Sequence, residues 1–330
     1  MAKPKTVAHG VLQGDGVVVA DVGAANRLHN KALAGTPQVG NTLRLSLVEA
    51  AHCVASEWLA VEDAGAQLAP AALLARAKDG RRALTDYLVY RDLRERGLVA
   101  RHAPGTSHFD VWPRGTGQGS PLFQAVAVST ADPVLTSDLL DGAPAGIVCC
   151  VVDEDSAVTH YRIAWGEPAG DVPEGKLPAA SGDVLADRVL VADATAAKAY
   201  AGEFLGTPHG GGVLLSALEA VALQARGLRL RGTLPAPPAP EVAQAYAALR
   251  KAGVVVKSGF RFGAHLRGYV GAPDDTHAQW LLHCARAGEG LPWSALSRGV
   301  RLAHGVRKQF LVAISGPAIV RFVHIAWFRP

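Results

Sequence analysis

The chain has 330 residues, with 33 Lys+Arg against 29 Asp+Glu, a formal net charge of +4, 49% hydrophobic and 19% charged residues. This is enough apolar side chain to fill the cores of two or more domains, at about 100–200 residues per domain, and it excludes a disordered chain. The most continuous apolar run, Gly146–Val152, is too short to span a bilayer, and Met1–Lys5 leads into no signal-peptide core. In chain order, a strand is predicted in the Val17–Asp21 run and a helix from Ser46, where Glu49 completes the capping-box spacing. The Pro/Ala-rich stretch Gln67–Ala71 follows, and then a helix over Tyr87–Arg96 stopped by Gly97. Gly115–Ser120 reads as a turn, since it lacks the Lys of a phosphate loop, and Gly146–Val152 reads as a strand. A linker is expected over Gly166–Asp183. Beyond it come a strand at Val189–Asp193, a helix from Ser216, the Pro-rich Thr233–Pro240 and a helix over Val242–Lys251 stopped by Gly253. Strands over Gly253–Lys257, Phe310–Ile314 and Ile319–Trp327, with a helix over Ser294–Lys308, complete the list. The four cysteines, Cys53, Cys149, Cys150 and Cys284, have no CxxC spacing and read as buried thiols of a cytoplasmic protein. His283-Cys284 has no partners at zinc-ligand spacing and reads as buried strand.

These elements repeat. Val17-Val-Val-Ala-Asp21 with Gly35-Thr-Pro37 returns as Val189-Leu-Val-Ala-Asp193 with Gly206-Thr-Pro208. Leu45-Ser-Leu-Val-Glu49-Ala returns as Leu215-Ser-Ala-Leu-Glu219-Ala, and Tyr90–Val99 matches Tyr246–Val255. Tyr161-Arg-Ile-Ala-Trp165 matches Val323-His-Ile-Ala-Trp327. Four matches in register indicate a tandem duplication. The predicted fold class is α+β: a duplicated bilobed unit, each with a small α/β amino lobe and a mixed-sheet, nuclease-like carboxy lobe. The expected lobes are residues 1–66, 67–168, 169–238 and 239–330.

The halves differ in charge. Residues 1–165 hold 15 Lys+Arg and 17 Asp+Glu, whereas residues 250–330 hold 12 and 3. A basic quarter on a nearly neutral chain points to a polyanion. Tyr269, His277 and Lys308 occur only in the second half. Trp112 stands opposite Tyr269, Gly146 opposite Lys308, and Pro113–Pro121 has no His. Cleavage of RNA by its own 2′-hydroxyl needs a base, an acid for the departing 5′-oxygen and a cation near the phosphorane. Histidine titrates near neutrality and suits the acid; lysine suits the cation. A tyrosine base, ordinarily at about pH 10, relies on nearby cations such as Lys308 or Arg301. No metal is required. Taken singly, each residue also has a structural reading: a strand-end Tyr, a capping His, a Lys at a helix C-terminus.

The segments Phe262-Gly-Ala-His-Leu-Arg-Gly-Tyr269, Thr276-His277-Ala and Ser297–Lys308, with Leu45–Ala50, resemble the archaeal tRNA-splicing endonucleases, in their duplicated, homodimeric form. The resemblance implies excision of introns from precursor tRNA at bulge–helix–bulge sites, without cofactor or metal, leaving a 2′,3′-cyclic phosphate and a 5′-hydroxyl. It implies Tyr269 as base, His277 as acid and Lys308 as transition-state cation. It also implies Arg301, with Arg321 and Arg298 as further candidates, as the holders of a bulged base. Asp153, Glu154 and Asp155 match an acidic loop that docks into another copy, giving a homodimer that resembles a tetramer of repeats. Where the family pattern has an acid, this chain has His265. Two other readings stand beside this one: a non-catalytic RNA-binding or scaffold protein that keeps the fold, and a metal-dependent nuclease, for which no carboxylate–carboxylate–Lys arrangement is found.

Overall fold

A computed structural model describes residues 7–103 and 105–330; Met1–Lys5 and their reading as a non-signal start lie outside them. Contacts divide the chain into two units. Unit 1 comprises residues 1–133, 145–163 and 328–330, and unit 2 comprises residues 134–144 and 164–327.

Unit 1 opens with strands β1 (Ala8–Gln13) and β2 (Gly16–Val19), helix α1 (Val22–Arg27), and strands β3 (Thr36–Pro37) and β4 (Leu43–Ser46). Helix α2 (Leu47–Ala55), strands β5 (Leu59–Asp63) and β6 (Ala66–Gln67) and helix α3 (Pro70–Leu74) follow. The sheet order is β3-β4-β2-β1-β5-β6, with β1 and β5 parallel. Ser46 and Glu49 form the reciprocal capping box expected from their spacing, an arrangement that contributes about 1 kcal/mol. Helix α4 (Gly80–Glu95) leads into β7 (Val99–His102), β8 (His108–Trp112) and β9 (Phe123–Ser129). After β10 (Pro133–Leu135) and α5 (Thr136–Gly142) come β11 (Val148–Val152) and β12 (Val158–Trp165). Here the order is β7-β8-β9-β11-β12, antiparallel except for the β9–β11 pair.

Helix α4 begins well before Tyr87 because the Asp79 side chain caps it by accepting from Arg82 N. The Pro/Ala stretch of unit 1 carries β6 and α3 and is packed rather than open. Residue 66 lies within β6, and Leu68, Leu73 and Leu74 are buried in one core that runs from Val17 and Leu45 to Tyr90, Phe109 and Cys150. Cys149 and Cys150 point to opposite faces of β11, yet both are buried because this strand is covered on each side. All four cysteines are buried and outside any disulfide; burial pushes the Cys53 and Cys284 thiols up to about 12.

Unit 2 runs through β13 (Ala180–Leu185), β14 (Arg188–Val191), α6 (Ala194–Gly202), β15 (Thr207–His209), β16 (Gly212–Ser216), α7 (Ala217–Gln224) and β17 (Leu228–Arg231). The sheet order is β15-β16-β14-β13-β17, with β13 and β17 parallel. Helix α8 (Pro240–Lys251) then precedes β18 (Val255–Ser258), β19 (Leu266–Tyr269) and β20 (Trp280–Arg286). Strand β21 (Gly290–Pro292), helix α9 (Trp293–Gly305), β22 (Gln309–Ser315) and β23 (Val320–Phe328) close the chain. Strands β18-β19-β20-β22-β23 are antiparallel neighbours except for the parallel β20–β22 pair. Each sheet in unit 2 thus repeats a pairing pattern of unit 1.

Unit 2 has separate cores for its two sheets, and Leu218 and Ala222 of α7 pack into the second. It also takes in α5 from the first half of the sequence. Thr136 N donates to Glu289 O at 2.9 Å and its Oγ1 to Arg286 O at 3.0 Å. Glu219 is the counterpart of Glu49, but the two carboxyls differ. Burial raises the pKa of Glu49. Burial acts on Glu219 in the same direction, but Lys257 Nζ at 3.1 Å and the N–H groups of Gly206 and Ser216 outweigh it and hold the pKa down.

The expected linker is not a free tether. Gly170 N donates to Ala252 O, Val172 N to Gly253 O and Asp171 N to Val270 O, at 2.9, 3.0 and 2.8 Å. Among the described residues no helix is long and apolar enough to cross a membrane.

Candidate active site

Tyr269 ends β19, His277 lies three residues before β20, and Lys308 immediately precedes β22. Because β19 runs antiparallel to β20, and β20 parallel to β22, a strand end and two strand beginnings fall at one edge of the sheet. Neighbouring strands stand about 4.8 Å apart, so three adjacent backbones lie within about 10 Å. Gln279 N donates to Gly268 O at 2.8 Å and Gln309 N to Gln279 O at 2.9 Å, which stitches the three strands together at that edge.

Each side chain is held differently. Tyr269 is only 6% exposed and packs with Val255, Ala278, Val172 and Phe204. The Arg267 guanidinium stands 5.6 Å from its ring centroid. These two residues are two apart on one strand and so share a face, a spacing that could have marked Arg267 in advance. The short loop after Tyr269 is braced by Thr276, whose Oγ1 and N both donate to Ala272 O, at 2.7 and 3.0 Å. His277 follows this turn and is exposed.

Lys308 is not the C-terminal cation of α9. The helix ends at Gly305, Arg307 takes a left-handed φ of 56°, and Lys308 N turns back to Ala303 O at 2.8 Å. The expected helix over Ser294–Lys308 is therefore three residues too long, and the chain reverses so that Lys308 opens the next strand. Lys308 is half-buried, its Nζ 5.8 Å from the Phe262 ring centroid. Helix α9 lies close on β22 because Gly299 has no side chain: a Cβ there would meet the Phe310 ring at 2.3 Å. Trp293, Leu296, Val300 and Ala303 form its buried face. Arg298 and Arg301, three apart, are exposed on the opposite face.

Arg321 is not brought to this edge. It pairs with Ile314, six positions along β22 from Lys308, and its guanidinium stands 5.3 Å from the Trp165 ring centroid. His265, at the far end of β19, accepts from Cys284 N at 2.8 Å and stacks on His283 with centroids 4.6 Å apart. His283-Cys284 lies in β20, as expected.

The counterparts in unit 1 carry none of this chemistry. Trp112 pairs with Val99 as Tyr269 pairs with Val255. The β8–β9 and β19–β20 registers put Ser120 at the His277 position. The β9–β11 and β20–β22 registers put Ala145, rather than Gly146, at the Lys308 position. The acidic residues Asp153, Glu154 and Asp155 form the exposed turn between β11 and β12. Asp153 Oδ1 accepts from Asp155 N and Ala157 N, at 3.1 and 2.9 Å, so the turn has a defined shape. Among the described residues no three His, Cys, Asp or Glu side chains converge as metal ligands.

A family profile described as the tRNA intron endonuclease, catalytic C-terminal domain, matches residues 242–318, which span β18 to β22 and all three residues of the set. A second, the tRNA intron endonuclease N-terminal domain, matches residues 8–74. Similar proteins include tRNA-splicing endonucleases of Halobacterium salinarum, Methanosarcina mazei and Methanococcoides burtonii. The first is 34% identical, over 97% of this chain and 99% of its own length. The second is 32% identical over 95% and 97%, and the third 30% identical over 90% and 93%. With the catalytic-domain profile lying over the sheet edge at Tyr269, His277 and Lys308, and likeness running nearly end to end, the chain belongs to the tRNA-splicing endonuclease family.

Proposed function

We propose that the chain excises introns from precursor tRNA at bulge–helix–bulge folds, by attack of the 2′-hydroxyl on the adjacent phosphate. Tyr269 takes the 2′-hydroxyl proton and the 2′-oxygen bonds to phosphorus. The bond to the 5′-oxygen breaks as His277 protonates it, leaving a 2′,3′-cyclic phosphate and a 5′-hydroxyl. Lys308 faces the charge that builds on the phosphorane. The observation that carries this reading is that strand register brings all three residues to one sheet edge in unit 2, against Trp112, Ser120 and Ala145 in unit 1. The test is cleavage of a bulge–helix–bulge RNA in excess EDTA. Cutting should continue, and a 2′-deoxy residue at the cut site should stop it. Loss of cutting on chelation, or cleavage past the deoxy residue, would sink the mechanism; no cutting at all would favour a scaffold.

The repeated pairing patterns, with the sequence matches, support a tandem duplication divided near residues 66, 168 and 238. The exposed, shaped turn Asp153–Asp155 and the basic residues after Arg250 support docking between copies and a homodimer with precursor tRNA as its partner. Arg301 and Arg298 share the exposed face of the helix that leads toward Lys308, whereas Arg321 lies six positions along β22 from it, and a base sandwich of Arg301 and Arg321 would then draw its two planes from different copies. Replacing Asp153, Glu154 and Asp155 together with alanine should halve the mass in solution at micromolar concentration. An unchanged mass would exclude the acidic turn as the dimer lock.

A further inference from the structure

Beside the catalytic sheet, unit 2 holds a groove of about 420 Å³ between α6 and the turn joining β15 to β16. One wall is helical and made of small residues, Ala194, Ala197 and Ala201, with Lys198 rising among them. The other wall is the turn His209–Gly212, in which Gly210 and Gly211 have φ of 55° and 83°, the left-handed pair of a two-residue hairpin turn. A Cβ on Gly210 or Gly211 would meet nothing within 4 Å, so this wall is bare backbone facing open space. No acidic side chain lines the groove, and its two titratable groups, Lys198 and His209, are exposed.

Unit 1 shows what the fold itself requires here. Asp21 and Asp193 cap α1 and α6 with the same geometry, so Lys198 corresponds to Asn26. Pro37 pairs with Leu43 as Pro208 pairs with Val213, so His209 corresponds to Gln38. Both basic positions are neutral amides in the acidic half. The same α–β arrangement therefore forms without them, and these two side chains serve something other than folding.

The groove also lies near the chemistry. Helix α6 runs into Phe204, which packs against the cluster containing Tyr269 and Ala278. Lys198 lies four residues before the end of α6 at Gly202, about 6 Å along its axis, and Phe204 follows two residues beyond that end. The segment from Lys198 to Phe204 thus joins the groove to the Tyr269 cluster.

We infer that the groove is a phosphodiester subsite for the RNA strand flanking the cut, with Lys198 and His209 facing the phosphate and the glycine turn allowing the sugar–phosphate backbone to approach. This rests on the reading of RNA as the substrate. Lysine serves here as a point charge that carries no base information, so the subsite tightens binding without selecting sequence.

The test compares wild type, Lys198→Glu, His209→Ala and a Lys198→Arg control on two bulge–helix–bulge RNAs, one with long flanking strands and one trimmed close to the bulges. On the long RNA, Lys198→Glu should raise KM about 3–10-fold with kcat held, and lower the slope of log Kd against log salt by about 1. His209→Ala should act in the same direction more weakly, and Lys198→Arg should restore wild-type behaviour. On the trimmed RNA all four proteins should agree. If wild type cuts but Lys198→Glu leaves KM and the salt slope unchanged on the long RNA, the subsite is refuted alone. If wild type cuts neither RNA, the reading of the substrate falls, and the subsite with it.

Discussion

Replacing His277 with alanine is expected to lower cleavage of a bulge–helix–bulge RNA by about 10²–10⁴-fold, the usual contribution of a positioned general acid, while RNA affinity stays within about twofold. His277 is exposed, packs into no core and sits beyond the Thr276 turn, so its removal should cost little stability. The loss should fall on kcat, and the alkaline limb of the pH–rate profile that reports the acid should disappear. A substrate whose 5′-oxygen is replaced by sulfur needs no protonation to leave, and it should be cut by the variant nearly as fast as by wild type. If the variant cut the ordinary substrate at more than a tenth of the wild-type rate, His277 would not be the acid.

Gly253→Ala is expected to be the most damaging single methyl group in unit 2. Gly253 has φ of 78°, and a Cβ there would sit 2.4 Å from Gly170 O, while one on Gly170 would sit 2.3 Å from Gly253 O. The two backbones touch because Gly170 N and Val172 N both donate to the chain around Gly253. A left-handed non-glycine residue costs about 1–2 kcal/mol, and displacing the clashing strand adds to it, for a total of about 2–4 kcal/mol. Tm should fall by about 5–15 °C. Because Val172 packs on Tyr269, kcat should fall too, before the protein unfolds. Gly170→Ala should carry the clash without the left-handed cost, and the double variant should cost less than both singles added, since one contact is lost twice. A Tm within 1 °C of wild type would show that the segment yields freely.

Much of this was readable in the residues. The Ser46/Glu49 and Ser216/Glu219 caps and the strand at His283-Cys284 come from local chemistry, and local chemistry is what one sequence displays. Tyr269, His277 and Lys308 stand out as candidates because the matching positions of the first half hold none of the three. What escaped depends on contacts distant in the chain. The start of α4 hinges on the Asp79 cap outside the apolar pattern, and the end of α9 on the left-handed Arg307. The counterpart of Lys308 moved from Gly146 to Ala145 because register is set by hydrogen bonds, which composition does not reveal. The linker's docking at Gly170 likewise depends on a partner more than eighty residues away.

The capture of α5 by unit 2 also has a consequence in time. Thr136 must wait for Arg286, 150 residues further along the chain. At a synthesis rate of about 5–20 residues per second, that is a delay of roughly 8–30 s. During this interval the segment 134–144 is already made but has no partner, and its buried Val134 and Leu139 face water. Any cut at the midpoint of the gene would make the separation permanent. A half-length second unit would therefore need a peptide covering residues 134–144 supplied in trans.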